Sequence, residues 1–180
     1  RREARRLRAG RLTEGPPLLA AARRLLAAGP EHPIRFFDLE IAFPGEWPDW
    51  SKDYRGGVRA PLRFYADVDY RDEREVGDSK YTWELNRHQF LAPWALEWAR
   101  TGDESAAAAI AAVVLDWIQA NPRYRGINWG SALELSLRLI SWGLAFEIGT
   151  EAPILAEARP LVLQSVAEQA AYVRHTLSAH

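Results

Sequence analysis

The strongest constraint on this chain is the spacing of its apolar residues between positions 103 and 148. Ile110, Val113, Val114, Trp117 and Ile118 recur at i, i+3, i+4, i+7 and i+8, the period of one buried helix face. Asn121-Pro122 ends that run, because the residue before a proline is pushed out of helical geometry. Ser131, with Glu134 three residues on, opens the next run as a capping box. The same reasoning predicts helices over 81–100, 103–120, 131–148 and 161–178, with "TGDE" as a turn and cap and Pro160 in the first turn of the last helix. Connections this short place neighbouring helices antiparallel. The expected fold is all-α: helical hairpins in series, as in an incomplete α/α toroid.

Upstream the character changes. Residues 1–11 hold six arginines and little apolar content, which reads as a solvated arm. "PPLLAAARRLLAAGP" places Leu18, Leu19, Ala22, Leu25 and Leu26 at helical spacing before Gly29-Pro30 stops the run. Residues 31–79 are broken by Pro33, Pro44, Pro48 and Pro61, with β-like runs in "IRFFDLEIAF" and "PLRFYADVDY". They read as an irregular wrap with a strand or two, pinned to the body by Trp47 and Trp50. The chain thus divides into an arm and first helix (1–30), the wrap (31–79) and the helical hairpins (80–180), the last cut short at its C-terminal end. With no methionine at its front, the chain reads as part of a longer protein.

Composition removes several function classes. A formal net charge of −1 gives no bulk field for nucleic acid or an anionic membrane. The absence of cysteine excludes disulfides and thiolate metal sites. The four histidines are scattered, and none pairs at i, i+4 with another, so no metal or other cofactor is expected. No apolar run approaches the roughly 18–20 residues that span a bilayer.

Two polar clusters remain. On a helical wheel, Trp83, Phe90, Leu91, Trp94 and Trp98 share a face with Asn86 and Arg87, while Glu84 and His88 line its edge. Pro93 should kink or split this helix. In "GINWGSALELSLRLISW", Asn128 and Trp129 precede a helix N-terminus, where backbone N–H groups favour an anion or an accepting oxygen. Glu134, Arg138 and Trp142 then stack at i, i+4 and i+8, with Glu134 and Arg138 oriented as a favourable helix ion pair. Arg87 has two readings. It pairs with Glu134 or Glu84 and fixes the register of two helices, or it meets an anionic group in a wet hollow. Trp129 is the candidate for stacking on a sugar ring; Trp94, Trp98 and Trp117 read as core.

"GDSKYTWELNRHQFLAPWALEWARTGD" followed by "LDWIQANPRYRGINWGSALELSLRLISW" resembles the N-terminal domain of the heparinase II/III-like polysaccharide lyases, over about residues 36–148. The resemblance implies an α/α toroid followed, in the same protein, by a β-sandwich domain. It also implies β-elimination on an acidic, uronate-containing polysaccharide and a periplasmic or secreted location. On this resemblance Glu84, Asn86, Arg87, His88, Asn128, Trp129, Glu134 and Arg138 line or brace a substrate groove. The family's Asn-Asn-His motif is not in this chain, and His175 and His180 do not match it, so the main catalytic groups are expected beyond His180. Two other readings stand beside this one: a helical binding or scaffold module without catalysis, and a glycosidase using Glu84 or Glu134 as acid.

Overall fold

The computed structural model describes residues 17–177; the arginine-rich arm and His180 lie outside the described residues. Helix α1 (Pro17–Ala27) buries Leu19, Ala22 and Leu26 and leaves Leu25 exposed. Strands β1 (Ile34–Phe36) and β2 (Leu39–Ile41) form an antiparallel hairpin with Ile34 opposite Ile41. Ile34, Phe36 and Ile41 face the core, while Arg35 and Glu40 pair on the outside. The second β-like run forms no strand. Its Tyr65–Asp67 segment is a 3-10 turn, and Phe64 makes one isolated bridge to Arg125. Aspartates explain the difference: Asp69 and Asp72 each accept a hydrogen bond from the backbone N–H two residues on, which favours turns over a ladder.

Helices α2 (Glu73–Val76) and α3 (Ser79–Asn86) follow, capped by Asp72 and Asp78. The predicted helix over 81–100 is in fact two, α3 and α4 (Leu91–Thr101). The break is at His88, whose φ is 57°, and not at Pro93. Pro93 is the third residue of α4, where its missing N–H costs no intrahelical bond. The break resets the helical phase. Trp83 packs beside Val76 and Ile127, whereas Trp94 enters the main core against Phe43 and His32. The single face drawn through both tryptophans does not exist.

Helix α5 (Glu104–Ala120) is the centre of the molecule, capped by Asp103 and closed at Asn121 as the sequence indicates. Every residue from Ser105 to Leu115 is buried. A helix apolar on all sides needs neighbours on all sides, and α5 has α1, α4 and α7 (Pro153–Leu177) around it. Its alanines let these helices approach. Gly29, just past α1, sits so near Ser105 that an added Cβ would lie 2.1 Å from the serine Cβ.

Helix α6 (Ala132–Ile148) packs on α4 and α7. The pairs α4–α5 and α6–α7 are therefore two helical hairpins side by side, and apart from β1–β2 the ordered elements are helical. Two expectations are corrected. Ser131 precedes α6 but its side chain makes no cap bond, and Glu134, whose side chain would supply the other half of the capping box, is turned toward Arg87. Helix α7 begins at Pro153 and runs through Pro160. Ile154, Leu155, Ala158 and Val162 are all buried at helical spacing on either side of that proline. Their burial, at roughly 1.5–3 kcal/mol for each large side chain, outweighs the roughly 3 kcal/mol cost of an interior proline.

Candidate functional site

The motif residues gather where the end of α3, the 3-10 turn Ile127–Trp129 and the first turns of α6 meet. They separate into a partly buried ion cluster and a fully buried polar network.

In the ion cluster, Arg87 donates from Nε to Glu134 Oε2 at 2.7 Å and from Nη2 to Glu134 Oε1 at 3.0 Å. This is a bidentate fork. Its Nη1 donates to Glu84. The Glu134 hydrogen bonds push the guanidinium above its ordinary value, outweighing desolvation. Of the two readings of Arg87, the structure has the inter-helix pair. Glu134 is committed to Arg87, so the α6 ion pair between Glu134 and Arg138 does not form. Two carboxylates around one guanidinium leave the cluster net negative, which disfavours an approaching anion.

We expect Arg87→Met to destabilise the fold by about 2–3 kcal/mol, since it strands a Glu134 side chain only 6% exposed. The double variant Arg87→Met with Glu134→Leu should recover more than half of that loss. A double-mutant cycle read by urea unfolding checks this; additive single losses would contradict it.

The buried network is organised on the Trp50 carbonyl. It accepts from Asn86 Nδ2 at 2.9 Å and from Asn128 Nδ2 at 2.7 Å. Asn86 also donates to the Thr82 carbonyl at 2.7 Å and accepts from Trp117 Nε1 at 2.7 Å. Asn128 reaches Asn121 Oδ1 at 2.8 Å. Arg138 is fully buried and ties the network to α7. It donates to Gln169 Oε1 at 2.9 Å, the Asn86 carbonyl at 3.2 Å and the Asn128 carbonyl at 3.1 Å, and it lies 4.0 Å over the Trp117 ring. Burial pulls its guanidinium down to about 9, and the Glu134 charge offsets this only in part.

His88 is also fully buried, among the rings of Trp50, Phe90, Trp117 and Trp142. Trp142 donates to its Nδ1 at 2.8 Å, so the imidazole carries its proton on Nε2. Burial, then the Arg138 charge, holds it well below the usual imidazole value, and it is neutral. His88 Nε2, Asn128 Oδ1 and Thr82 Oγ1 are buried without a hydrogen-bond partner among the described residues.

Trp129 is 1% exposed and packs against Leu135 and Tyr172, with its Nε1 donating to the Asn121 carbonyl at 3.3 Å. It presents no open face to a sugar ring, and Asn128 is equally enclosed. The expected convergence of Asn86, Arg87, Asn128 and Trp129 on one wet hollow is therefore replaced by a split. Glu84 and Arg87 are partly exposed and hold the buried Glu134, whereas Asn86, His88, Asn128, Trp129 and Arg138 are interior. Sequence reasoning missed Trp50, Asn121 and Gln169 as partners. Asn121 had a signal, since an asparagine at a helix end has amide groups to satisfy. Among the described residues, no group of three or more His, Asp or Glu side chains is arranged to hold a metal ion.

The sequence model for the Heparinase II/III N-terminus matches residues 51–180. The chain belongs to this family. Comparisons with curated proteins and with solved structures gave no match. All eight motif residues fall inside the heparinase II/III N-terminus match, which reaches the C-terminal end of the chain and so extends beyond the resemblance over 36–148. Trp50, the residue on which the two asparagines converge, stands immediately before it.

Proposed function

We propose that this chain is the helical N-terminal portion of a polysaccharide lyase that cleaves uronic-acid-containing polysaccharide, heparan-sulfate-like or alginate-like, by β-elimination. The family match over 51–180 carries this reading. In such a reaction a base removes the proton beside the uronate carboxylate, the electrons form the new C=C bond, and the C4 oxygen leaves with a proton from an acid. Charge building on the carboxylate needs hydrogen-bond donors or a cation beside it.

The role we assign to the described residues is to hold the frame. Arg87 locks α3 to α6, and Arg138 locks α6 to α7 and to both asparagine carbonyls. The proton-transfer groups belong, on this proposal, to residues beyond this chain, with a β-sandwich domain of the same protein as partner and a periplasmic or secreted location. Incubating the whole protein with heparan sulfate, alginate and other uronate polymers should produce ultraviolet absorbance from unsaturated uronate. Silence across that panel from folded protein would reject the lyase.

A second reading is a non-catalytic helical module of polysaccharide metabolism. The enclosure of Asn86, His88, Asn128, Trp129 and Arg138 favours it. It predicts retention of polysaccharide on the protein with no new absorbance. A glycosidase using Glu84 or Glu134 as acid has less support, because both carboxylates grip Arg87.

A further inference from the structure

A formal net charge of −1 conceals a local excess of cations. The loop after α5, residues 122–126, is pinned antiparallel to residues 63–65. The Tyr65 N–H donates to the Tyr124 carbonyl at 3.0 Å and the Gly126 N–H to the Arg63 carbonyl at 2.8 Å. These two bonds flank Phe64 and Arg125, which are therefore a non-hydrogen-bonded pair, the kind whose side chains lie closest and share one face. Both side chains are exposed, Phe64 to 47%. The loop is held in shape. Arg125 N–H donates to the Pro122 carbonyl at 3.0 Å, and Tyr124 keeps a φ of 62°, which a bulky residue adopts only where its surroundings impose it.

Neither arginine of this loop meets a carboxylate. Arg123 donates from Nη2 to the Tyr124 hydroxyl at 2.7 Å and lies 4.5 Å over that ring. Both partners are neutral, so its charge is uncompensated and most of its N–H donors stay available. The Arg125 side chain makes no hydrogen bond or ion pair among the described residues. Arg63 differs, since Glu75 and the Asp67 carbonyl hold it. Over residues 63–67 and 122–126, with Glu75 included, three arginines stand against two carboxylates, and the balance is positive. The rings of Phe64, Tyr65 and Tyr124 run through the patch with centroids 4.8 and 6.1 Å apart.

The contrast with Arg87 selects the ligand. That guanidinium is saturated by two carboxylates, whereas Arg123 and Arg125 can each offer a planar fork to a carboxylate or sulfate. An exposed ring beside a free guanidinium suits a sugar that carries its charge on a pyranose, with the C–H face against Phe64 and the anion against Arg125. We propose that Phe64, Arg123 and Arg125 form a binding surface for an acidic saccharide unit, separate from the Glu84–Arg87–Glu134 cluster. The choice of a saccharide rests on the polysaccharide reading above; the site and its charge do not.

The test is binding of end-labelled oligosaccharides of heparan sulfate and of alginate to the whole protein, read at several salt concentrations before any cleavage develops. The alginate arm carries carboxylate alone and the heparan arm adds sulfate. Arg125→Gln and Arg123→Gln should each weaken binding of at least one of them about threefold or more, and the double variant at least tenfold. Each should also make the dependence of log affinity on log salt shallower by roughly one ion or slightly less. Phe64→Ala should weaken binding without changing that slope. Arg100→Gln removes the same charge from an exposed side chain at the other end of α5, roughly 25 Å away, and should change affinity less than twofold. Three outcomes would each overturn the proposal: a folded double variant that binds as the parent does, a loss in Arg100→Gln equal to that in Arg125→Gln, or duplex DNA bound as tightly and lost in the same variants. Ultraviolet absorbance is recorded separately. Cleavage with binding indifferent to these arginines would sink this surface and leave the lyase standing; binding lost in the variants without any cleavage would do the reverse.

Discussion

Arg138→Ala should lower the stability of this protein by about 3–5 kcal/mol. Three buried acceptors, the Asn86 and Asn128 carbonyls and Gln169 Oε1, lose their donor. Each orphaned group costs roughly 1–3 kcal/mol before the surroundings relax. The truncation also opens a void beneath the Trp117 ring, which the guanidinium covers at 4.0 Å. Arg138→Lys keeps a positive charge but not the planar fork that serves three acceptors in different directions, and should retain less than half of the lost stability. Urea unfolding with a fixed m-value reads both effects. A loss below about 1 kcal/mol for the alanine variant would mean that the network closes without Arg138, contrary to its geometry.

The second large effect is an acid limb set by His88. The folded protein holds this imidazole neutral, well below its ordinary value, because it is enclosed by aromatic rings and faces the Arg138 charge. In the unfolded chain it titrates near about 6.5. Below that pH the unfolded state takes up a proton that the folded state refuses, so stability falls as pH falls. The contribution approaches about 1.4 kcal/mol for each pH unit below about 6.5, until the folded imidazole itself protonates. His88→Asn keeps a side chain that tolerates positive φ and removes the titration. Denaturation midpoints measured from pH 7 down to about pH 4.5 should show a limb shallower by about one proton in the variant. Equal slopes in the two proteins would assign the acid sensitivity to other groups.

Much of the helical frame was legible because its signals are local. The apolar period of α5, the "TGDE" cap at Asp103 and the Asn121-Pro122 stop each act within a few residues, and the structure has all of them. Arg87 was legible as a brace, since its partners lie three residues away and on the next motif helix.

What failed depends on residues distant in sequence. A helical wheel drawn over 83–98 assumes one continuous phase, and His88 in left-handed geometry breaks it. No local rule marks that position, because its conformation is stabilised by the rings around it. Asn128 and Trp129 look open in sequence, in a polar loop before a helix. Trp50 and Tyr172, dozens of residues away in opposite directions, cover them. The interior proline of α7 misled for a related reason. Propensity penalises Pro160, but the apolar positions on both sides are fixed by contacts with α5 and α6 that a window of sequence does not contain.

The Trp50 carbonyl has a consequence for how the polypeptide may be cut. A fragment trimmed to residues 51–180 would respect the boundary of the family match, yet it would delete the oxygen that both asparagine amides share and the ring that encloses His88. It would also strip α1 from the flank of α5 and expose alanine-rich surface to water. The homologous segment and the cooperative folding unit are therefore different lengths of chain, and the longer one begins no later than α1.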